Sequence, residues 1–490
     1  MFRRLAIIAL SAFAFFSCSP LGVGQRTIQR PDGRPIETSR IDDSVERLMQ
    51  AAHVTGTGIA VFHRGKIAYL KAYGYRDTEK GLSLTPDSVM TSASLSKAAF
   101  ASLVMLLVQQ HAIDLDTPIY KYLPKPLPDY PRYADLKGDD RIQKLTLRIL
   151  LSHTSGFPNW RAFEDDRKLR IHFDPGTRYA YSGEGISLAQ FVVETVTHKS
   201  LTDLMDEKLF QPLHMNRTSM VWQSRFENDF ANGYDEYGRS LGPEKRATPD
   251  GAGSMQTTLH DYADLLSAIM RRTVLSTRAV GWMLSPQIRI YSAHQFPSLE
   301  NTTTTANDAI RLRYGLGWGL YSSPYGKAFF KEGHDEGWRH LALCFNNGSG
   351  ILIMTNSSNG EGIFKPLIDS VLGPTSFPFD WENYTPYDLL PPLPKLKQHK
   401  TVSLPREDLD RLVGRYALSA DIVLSVTVDG ERLFVQENDE PKQEYRAESP
   451  KDFYSTSSTD ECSFRFAGSG PAQALILHLD GKDLELKRLP

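Results

Sequence analysis

The sequence predicts an α+β protein: one sheet assembled from distant segments around an inserted helical part, followed by a small all-β domain. Three observations carry this expectation. Strand-like stretches at residues 57–61 and 66–73 are matched by others at 341–346 and 350–356, with helical patterns between them. After Trp381 comes a Pro-rich stretch, with Tyr384-Thr385-Pro386 and Pro391-Pro392-Leu393-Pro394-Lys395, that reads as stiff extended chain. Beyond it, short alternating runs and Asp-Gly turns replace the helical periodicity. At 490 residues the chain also exceeds the usual size of a single core, so two domains are expected.

The N-terminus is different in kind. Arg3 and Arg4 precede an apolar run from Leu5 to Phe16 broken only by Ser11, and Ser17-Cys18-Ser19-Pro20 follows. A basic start and about a dozen apolar residues are short for a membrane span and read as an export signal over residues 1–18. Phe15-Phe16-Ser17-Cys18 resembles a bacterial lipobox, which would make Cys18 the lipidation site and the protein a periplasmic or envelope lipoprotein. Ordinary signal-peptidase cleavage nearby is the alternative.

Residues 19–40 are polar and form a tether. Helical periodicity begins at Ile41 with Val45, Leu48 and Met49, opening a main domain over 41–380. The two early strands flank Arg64-Gly65. Helices are expected at 94–111, 148–152, 186–197, 201–210 and 258–270, and a last one at 362–372 after the late strands. The linker is placed at 381–403 and the β-rich domain at 404–490. There Ile422, Leu424, Val426 and Val428 alternate before Asp429-Gly430, and Ala474–Leu479 precedes Asp480-Gly481. A barrel or a sandwich would fit.

Composition is that of an ordinary globular protein, 41% hydrophobic and 23% charged with net charge −2, offering no basic stripe for nucleic acid. After processing only Cys344 and Cys462 remain, in different expected domains, so no disulfide framework is expected.

The chemistry starts at Ser94-Leu95-Ser96-Lys97, where an apolar helical run begins. Residues three apart share a helix face, so Lys97 can aim its amine at the Ser94 hydroxyl and act as its base. A serine in the first turn also places a developing oxyanion at the positive end of the helix dipole. A Ser-x-x-Lys pair arises about once or twice by chance in a chain this long, so the spacing alone decides nothing.

A second element is Asp174-Pro175-Gly176-Thr177-Arg178-Tyr179-Ala180-Tyr181-Ser182-Gly183-Glu184-Gly185, a tight loop before a helix. Tyr181 near two lysines would lose its proton more easily and could relay protons; a hydrogen-bonded core tyrosine is the plainer reading. The third is Lys331-Glu332-Gly333-His334. On an edge strand, Gly333 would let substrate approach the backbone, and the N–H of His334 could join that of Ser94 as an oxyanion hole. Lys331 would direct positive charge at substrate or tyrosine.

In this order the three elements resemble the serine β-lactamase and penicillin-binding-protein superfamily, whose hallmarks are Ser-x-x-Lys, Tyr-x-Asn and Lys/His-x-Gly. The likeness is to its class C-type branch, which includes esterases and D-amino-acid peptidases. Leu150-Leu151-Ser152-His153-Thr154-Ser155-Gly156, Tyr314-Gly315-Leu316-Gly317-Trp318 and Met354-Thr355-Asn356 are also similar to family segments. The resemblance spans about residues 40–375. It implies a β-lactamase/transpeptidase-like fold, an antiparallel sheet flanked by helices with a helical subdomain. The tail from Leu412-Val413-Gly414-Arg415-Tyr416 is similar to the β-rich accessory domain that often follows such enzymes. The implied reaction is acyl-enzyme hydrolysis by Ser94, Lys97, Tyr181 and Lys331, with Ser94, Gly183, Gly333 and His334 around the substrate.

Two departures stand out. The family asparagine is here Gly183, which cannot hold an antibiotic's acylamido group, while Glu184 is a neighbour that could partly substitute. Glu332 stands where a small or hydroxyl residue is common, and a carboxylate there disfavours anionic substrates. Both point away from β-lactam hydrolysis and leave acyl transfer intact. His334, Asp335, Glu336 and His340 lack a recognised zinc spacing and read as polar loop residues, so no metal and no cofactor are expected. His153 reads as a hydrogen-bonded packing residue. There is no Gly-x-Ser-x-Gly elbow.

The expected protein is an exported serine hydrolase acting on a small-molecule or peptide ester or amide. Its membrane contact would be through the lipid anchor alone, and its oligomeric state stays open. A β-lactamase, a D-Ala carboxypeptidase, a silent penicillin-binding-like sensor and a metallohydrolase are the alternatives. The β-rich domain could cap the cleft, dimerise or act as a spacer.

Overall fold

The computed structural model describes residues 27–393, 399–418, 422–438, 442–456, 460–479 and 482–490. The expected leader with Cys18, Pro394-Lys395 and the Asp480-Gly481 turn lie outside those residues. Among the described residues no helix is long and apolar enough to cross a membrane.

The main sheet is built from both ends of its domain, as expected. Strands β1 (Gly56–His63), β2 (Lys66–Asp77) and β3 (Leu82–Ser83) come from the start. The others are β4 (Ile288–Arg289), β5 (Arg313–Tyr314), β6 (Gly319–Ser323), β7 (Gly326–Asp335), β8 (Trp338–Phe345) and β9 (Gly350–Thr355). The order is β4-β5-β6-β7-β8-β9-β1-β2-β3, antiparallel throughout. Successive side chains of a strand point to opposite faces, and here both faces are covered. Ile59 and Val61 of β1 enter one core, and Ala60 and Phe62 the other. In β9, Ile351 and Ile353 oppose Leu352 and Met354 in the same way. Burial on both faces explains why these strands read as continuous apolar runs rather than alternating ones.

Helices α1 (Thr38–Ala52) and α8 (Phe364–Val371) cover one face. Ile41, Val45, Leu48, Met49 and Ala52 make the buried stripe of α1. The opposite face carries the helical part. It comprises α2 (Leu95–Gln109), α3 (Leu147–Leu151), α4 (Gly183–Thr197), α5 (Leu201–Met205), α6 (Leu259–Arg271) and α7 (Thr277–Met283). Every residue of α2 from Leu95 to Val108 is buried. A helix apolar on all sides can only be a central one, and α2 is the axis on which the site is hung. The helix expected at 201–210 ends at Met205 and continues as a π-turn through Phe210.

The packed domain runs past residue 380. Trp381 and Tyr384, placed by sequence in the linker, are 1% and 5% exposed in the sheet's second core. Proline near these positions stiffens the chain without preventing two large aromatics from burying.

The C-terminal domain is a closed eight-stranded barrel. Its strands are β10 (Gly414–Ala417), β11 (Val423–Asp429), β12 (Arg432–Glu437), β13 (Gln443–Ala447), β14 (Asp452–Ser455), β15 (Glu461–Phe466), β16 (Ala472–Leu479) and β17 (Lys482–Arg488). Strand β10 pairs with both β11 and β17, which removes the free edge a sandwich would leave. The alternating Leu424 and Val426 join Leu433, Val435, Phe453 and Phe464 inside it. Cys344 and Cys462 are free and buried, each in its own domain's core.

Candidate active site

Ser94 immediately precedes α2. It has helical backbone angles, φ −70° and ψ −4°, and its side chain caps no backbone N–H. An N-cap serine ordinarily spends its oxygen on the helix end. Here the hydroxyl is left for Lys97, whose Nζ donates to Ser94 Oγ at 3.0 Å. Ala93, just before it, has φ +46°. That left-handed backbone is costly for a residue with a Cβ, and such strain is held only where the surroundings over-determine it. The strand pair Met90–Thr91 with Gln256–Thr257, and the Ser92 Oγ bond to the Met255 carbonyl at 2.7 Å, fix this approach.

Lys97 is 1% exposed and also donates to the Ala252 carbonyl at 2.6 Å. Burial, followed by the positive charge of Lys331, pushes its amine down to about 7. Asp250 pulls the other way without prevailing. A lysine near neutrality is a usable base, where an ordinary one is spent as ammonium.

Tyr181 lies between the two lysines. Its ring centroid is 5.0 Å from Lys97 Nζ and 4.8 Å from Lys331 Nζ. Lys331 Nζ donates to the Tyr181 hydroxyl at 3.0 Å, and Tyr181 lines the same cavity as Ser94. The expectation that two lysines would ease its proton off is not met. Burial, reinforced by the Glu332 carboxylate, pushes the phenol well above its ordinary value. Tyr181 therefore holds its proton, and Lys97 is the group poised to take one.

The segment from His153 onward builds the Tyr181 loop. His153 Nδ1 accepts the Ser182 N–H at 3.1 Å, and its carbonyl accepts the Ala180 N–H at 2.8 Å. Its ring lies 4.4 Å from that of Tyr181, and burial holds the imidazole well below its usual range. His153 is thus a neutral support, as its reading as a packing residue anticipates. Ser182 Oγ caps α4 by accepting from the Gly185 N–H at 2.9 Å, so the helix begins at Gly183, three residues earlier than expected.

Gly183 has a clear reason. A Cβ there would stand 2.4 to 2.7 Å from three carbons of the Trp160 ring. The indole occupies the space a side chain at 183 would need. Neighbouring Asn159 accepts the Gly183 N–H through Oδ1 at 3.0 Å. Glu184 does not take over the missing amide. Its carboxylate is clamped by Arg161, with Nε and Nη2 each at 2.9 Å. Burial opposes its ionisation, and Arg161 overcomes burial to leave the carboxyl below its ordinary value.

Strand β7 is the fourth of nine, not an edge of the sheet. Yet β6 pairs with it only from Gly326 to Phe330, while β8 continues to Asp335. The half bearing Lys331-Glu332-Gly333-His334 is therefore a local edge. Gly333 is needed there for the protein's own packing. A Cβ on it would come within 2.7 Å of the Ser92 carbonyl and 3.2 Å of Leu95 Cγ, at the approach to α2. The His334 side chain is about half exposed and pairs with Glu361. His340 is fully buried, with Nε2 2.7 Å from the Thr91 carbonyl and Nδ1 accepting from the Thr355 N–H. The two histidines do not converge, and no group of three potential ligands forms among the described residues.

Ser94, Lys97 and Tyr181 open onto one cavity of about 740 Å³, lined also by Asn159, Trp160, Asp250, His334 and Glu382. Lys331 stands behind Tyr181, fully buried against Glu332. A second cavity, between the barrel and the main domain, shares Asp335 and Glu336 with the first. The barrel thus sits beside the site's mouth. Trp160, Asp250, Ala252 and Glu382 escape sequence reading. Only the glycine punctuation of Asp250-Gly251-Ala252-Gly253 marks two of them as part of a loop of interest.

The chain resembles several known proteins. It is 26% identical over 214 residues to Protein flp of Staphylococcus aureus, covering 41% of each chain. It is 25% identical over 271 residues to teichoic acid D-alanine hydrolase of the same species, covering 52% of this chain and 62% of that one. The chain thus spans less than two thirds of these curated relatives. Among solved structures, the octameric penicillin-binding protein homologue from Pyrococcus abyssi superposes with TM-score 0.56 at 19% identity, covering 92% of this chain and 100% of that one. D-alanine carboxypeptidase AmpC from Burkholderia cenocepacia gives 0.55 at 19% identity, over 68% and 98%. These structural likenesses establish the β-lactamase/transpeptidase-like fold. The family description Beta-lactamase matches residues 41–371, well over half of the chain and including Ser94, Lys97, Tyr181 and Lys331, and the chain therefore belongs to the Beta-lactamase family.

Proposed function

We propose that the protein is a serine hydrolase that cleaves an ester or amide through an acyl-enzyme on Ser94. The observation that carries this reading is the 3.0 Å bond from a buried Lys97, held near neutrality, to the Ser94 hydroxyl. Neutral Lys97 takes the hydroxyl proton as Oγ bonds to the carbonyl carbon. The resulting oxyanion faces the N–H groups of Ser94 and His334 at the start of α2 and on the free edge of β7. Collapse breaks the bond to the leaving group, which takes a proton from the Tyr181 hydroxyl. The proton held on Lys97, whose amine lies 5.0 Å from the Tyr181 ring centroid, then restores the phenol. Water then attacks the ester by the same route in reverse, its proton passing to Lys97 and Ser94 leaving as the hydroxyl. Lys331 fixes the Tyr181 hydroxyl at 3.0 Å.

The relatives' names, teichoic acid D-alanine hydrolase and D-alanine carboxypeptidase, support a D-alanyl ester or amide as the substrate class. Trp160 packed over Gly183 argues against β-lactams. Purified protein should label with a fluorophosphonate probe and hydrolyse p-nitrophenyl acetate. It should turn over a D-alanyl ester or amide better than nitrocefin, and Ser94→Ala should lose both labelling and turnover. Labelling that survives in Ser94→Ala would place the nucleophile elsewhere.

A further inference from the structure

The catalytic steps above leave two buried carboxylates of the cavity unused. Glu332 and Glu382 are 4% and 6% exposed, and both line it. Glu332 contacts Lys331, the one cation paired with it among the described residues. Glu382 Oε2 accepts from Gln295 Nε2 at 3.0 Å, while Oε1 is buried with no hydrogen-bond partner among the described residues. Gln295 cannot compensate a charge, and burial, followed by the field of Glu332, raises the Glu382 carboxyl well above its ordinary value. Of the other acids of the cavity, Asp250 accepts from the Ala252 N–H, Glu361 pairs with His334 and Arg339, Asp335 pairs with Arg246, and Glu336 is exposed to solvent. A buried acceptor without a donor costs free energy until a ligand supplies one. Two carboxylates sharing one lysine make the place short of a positive charge.

We propose that Glu332 and Glu382 form a subsite for a substrate ammonium group, so that the cleaved ester or amide carries a cation close to the scissile bond. This deepens the hydrolase reading and rests on it. An incoming ammonium donates to Glu382 Oε1 as the carboxyl gives up its proton, whereas a carboxylate in the same place meets the Glu332 charge and finds no cation. The ammonium could lie on the acyl side, as in an aminoacyl ester, or on the leaving side.

The test compares kcat/KM of the full chain on p-nitrophenyl acetate, p-nitrophenyl alaninate (both enantiomers), p-nitrophenyl succinate and 4-(2-aminoethyl)phenyl acetate. A hydrogen bond to a charged partner contributes roughly 1.5–3 kcal/mol, tenfold or more in specificity. One cationic substrate should therefore exceed the neutral acetate by about tenfold, and succinate should fall below it. Preference for alaninate places the ammonium on the acyl side, and preference for 4-(2-aminoethyl)phenyl acetate on the leaving side. In Glu382→Gln the cationic advantage should vanish while acetate turnover persists, and Glu332→Gln should reduce the same ratio. A parallel measurement needs no turnover: calorimetric binding of alaninamide to Ser94→Ala protein should weaken about tenfold when Glu382→Gln is added. Equal rates on cationic and neutral esters, or an alaninamide affinity indifferent to Glu382, overturn the subsite. Loss of all Ser94-dependent hydrolysis with alaninamide binding intact overturns the hydrolase reading alone.

Discussion

Trp160 and Gly183 offer the sharpest quantitative test of how this site is packed. Replacing Gly183 with alanine puts a Cβ 2.4 Å from Trp160 Cη2, with Cζ2 and Cζ3 at 2.6 and 2.7 Å. Carbon atoms rest about 3.5–4 Å apart, so the indole must retreat by about 1 Å. A ring cannot yield locally; it must swing as a unit. Overpacking of this kind costs about 1–3 kcal/mol. With Trp160→Ala in place the obstruction is gone. Gly183 opens α4 without a left-handed backbone, so alanine there should then be neutral or stabilising by roughly 0.5 kcal/mol. The two changes should therefore couple by about 2 kcal/mol, well beyond the roughly 0.5 kcal/mol scatter of independent sites. Urea midpoints of wild type, both single variants and the double variant measure the coupling. If Gly183→Ala costs the same with and without Trp160, the indole does not set the need for glycine. The same cycle reads function: Gly183→Asn should raise nitrocefin hydrolysis only when Trp160→Ala has made room for it.

Three further outcomes follow from buried charges. Catalysis by neutral Lys97 makes kcat/KM for a neutral ester climb with pH through about 7 and then level, and a flat profile across that range would exclude Lys97 as the base. Stability should move in the same direction. Lys97 drops from 10.5 to about 7 on folding, so between those values only the unfolded chain holds the proton, and stability rises with pH across that window. The full effect is on the order of 5 kcal/mol, and Lys97→Met should abolish that rise in urea midpoint; an unchanged pH dependence would refute the burial argument. Glu184→Gln should cost roughly 2–3 kcal/mol, because it leaves Arg161 without its carboxylate in a largely buried place, while KM stays put. A raised KM with unchanged stability would instead make Glu184 a substrate contact.

The sequence by itself determined what depends on neighbours along the chain. The i, i+3 spacing of Ser94 and Lys97 sets their approach wherever a helix starts there, and alternation with Asp429-Gly430 sets a barrel hairpin. The continuous apolar runs of β1 and β9 likewise announce strands covered on both faces. Tertiary structure alone decided the state of the groups. Tyr181 was legible as a participant but not as a proton donor, because its phenol answers to burial and to Glu332, which is 151 residues away along the chain. Gly333 was legible as a close approach, but the partner is the Ser92 carbonyl, brought there by the docking of α2 on β7. The stretch around Trp381 looked like linker because local proline content is visible and long-range burial is not, and with it Glu382 went unseen in the cavity. The absence of an asparagine at 183 could be read directly; Trp160 standing in its space could not, since two segments of chain must fold together before either has a shape to exclude the other.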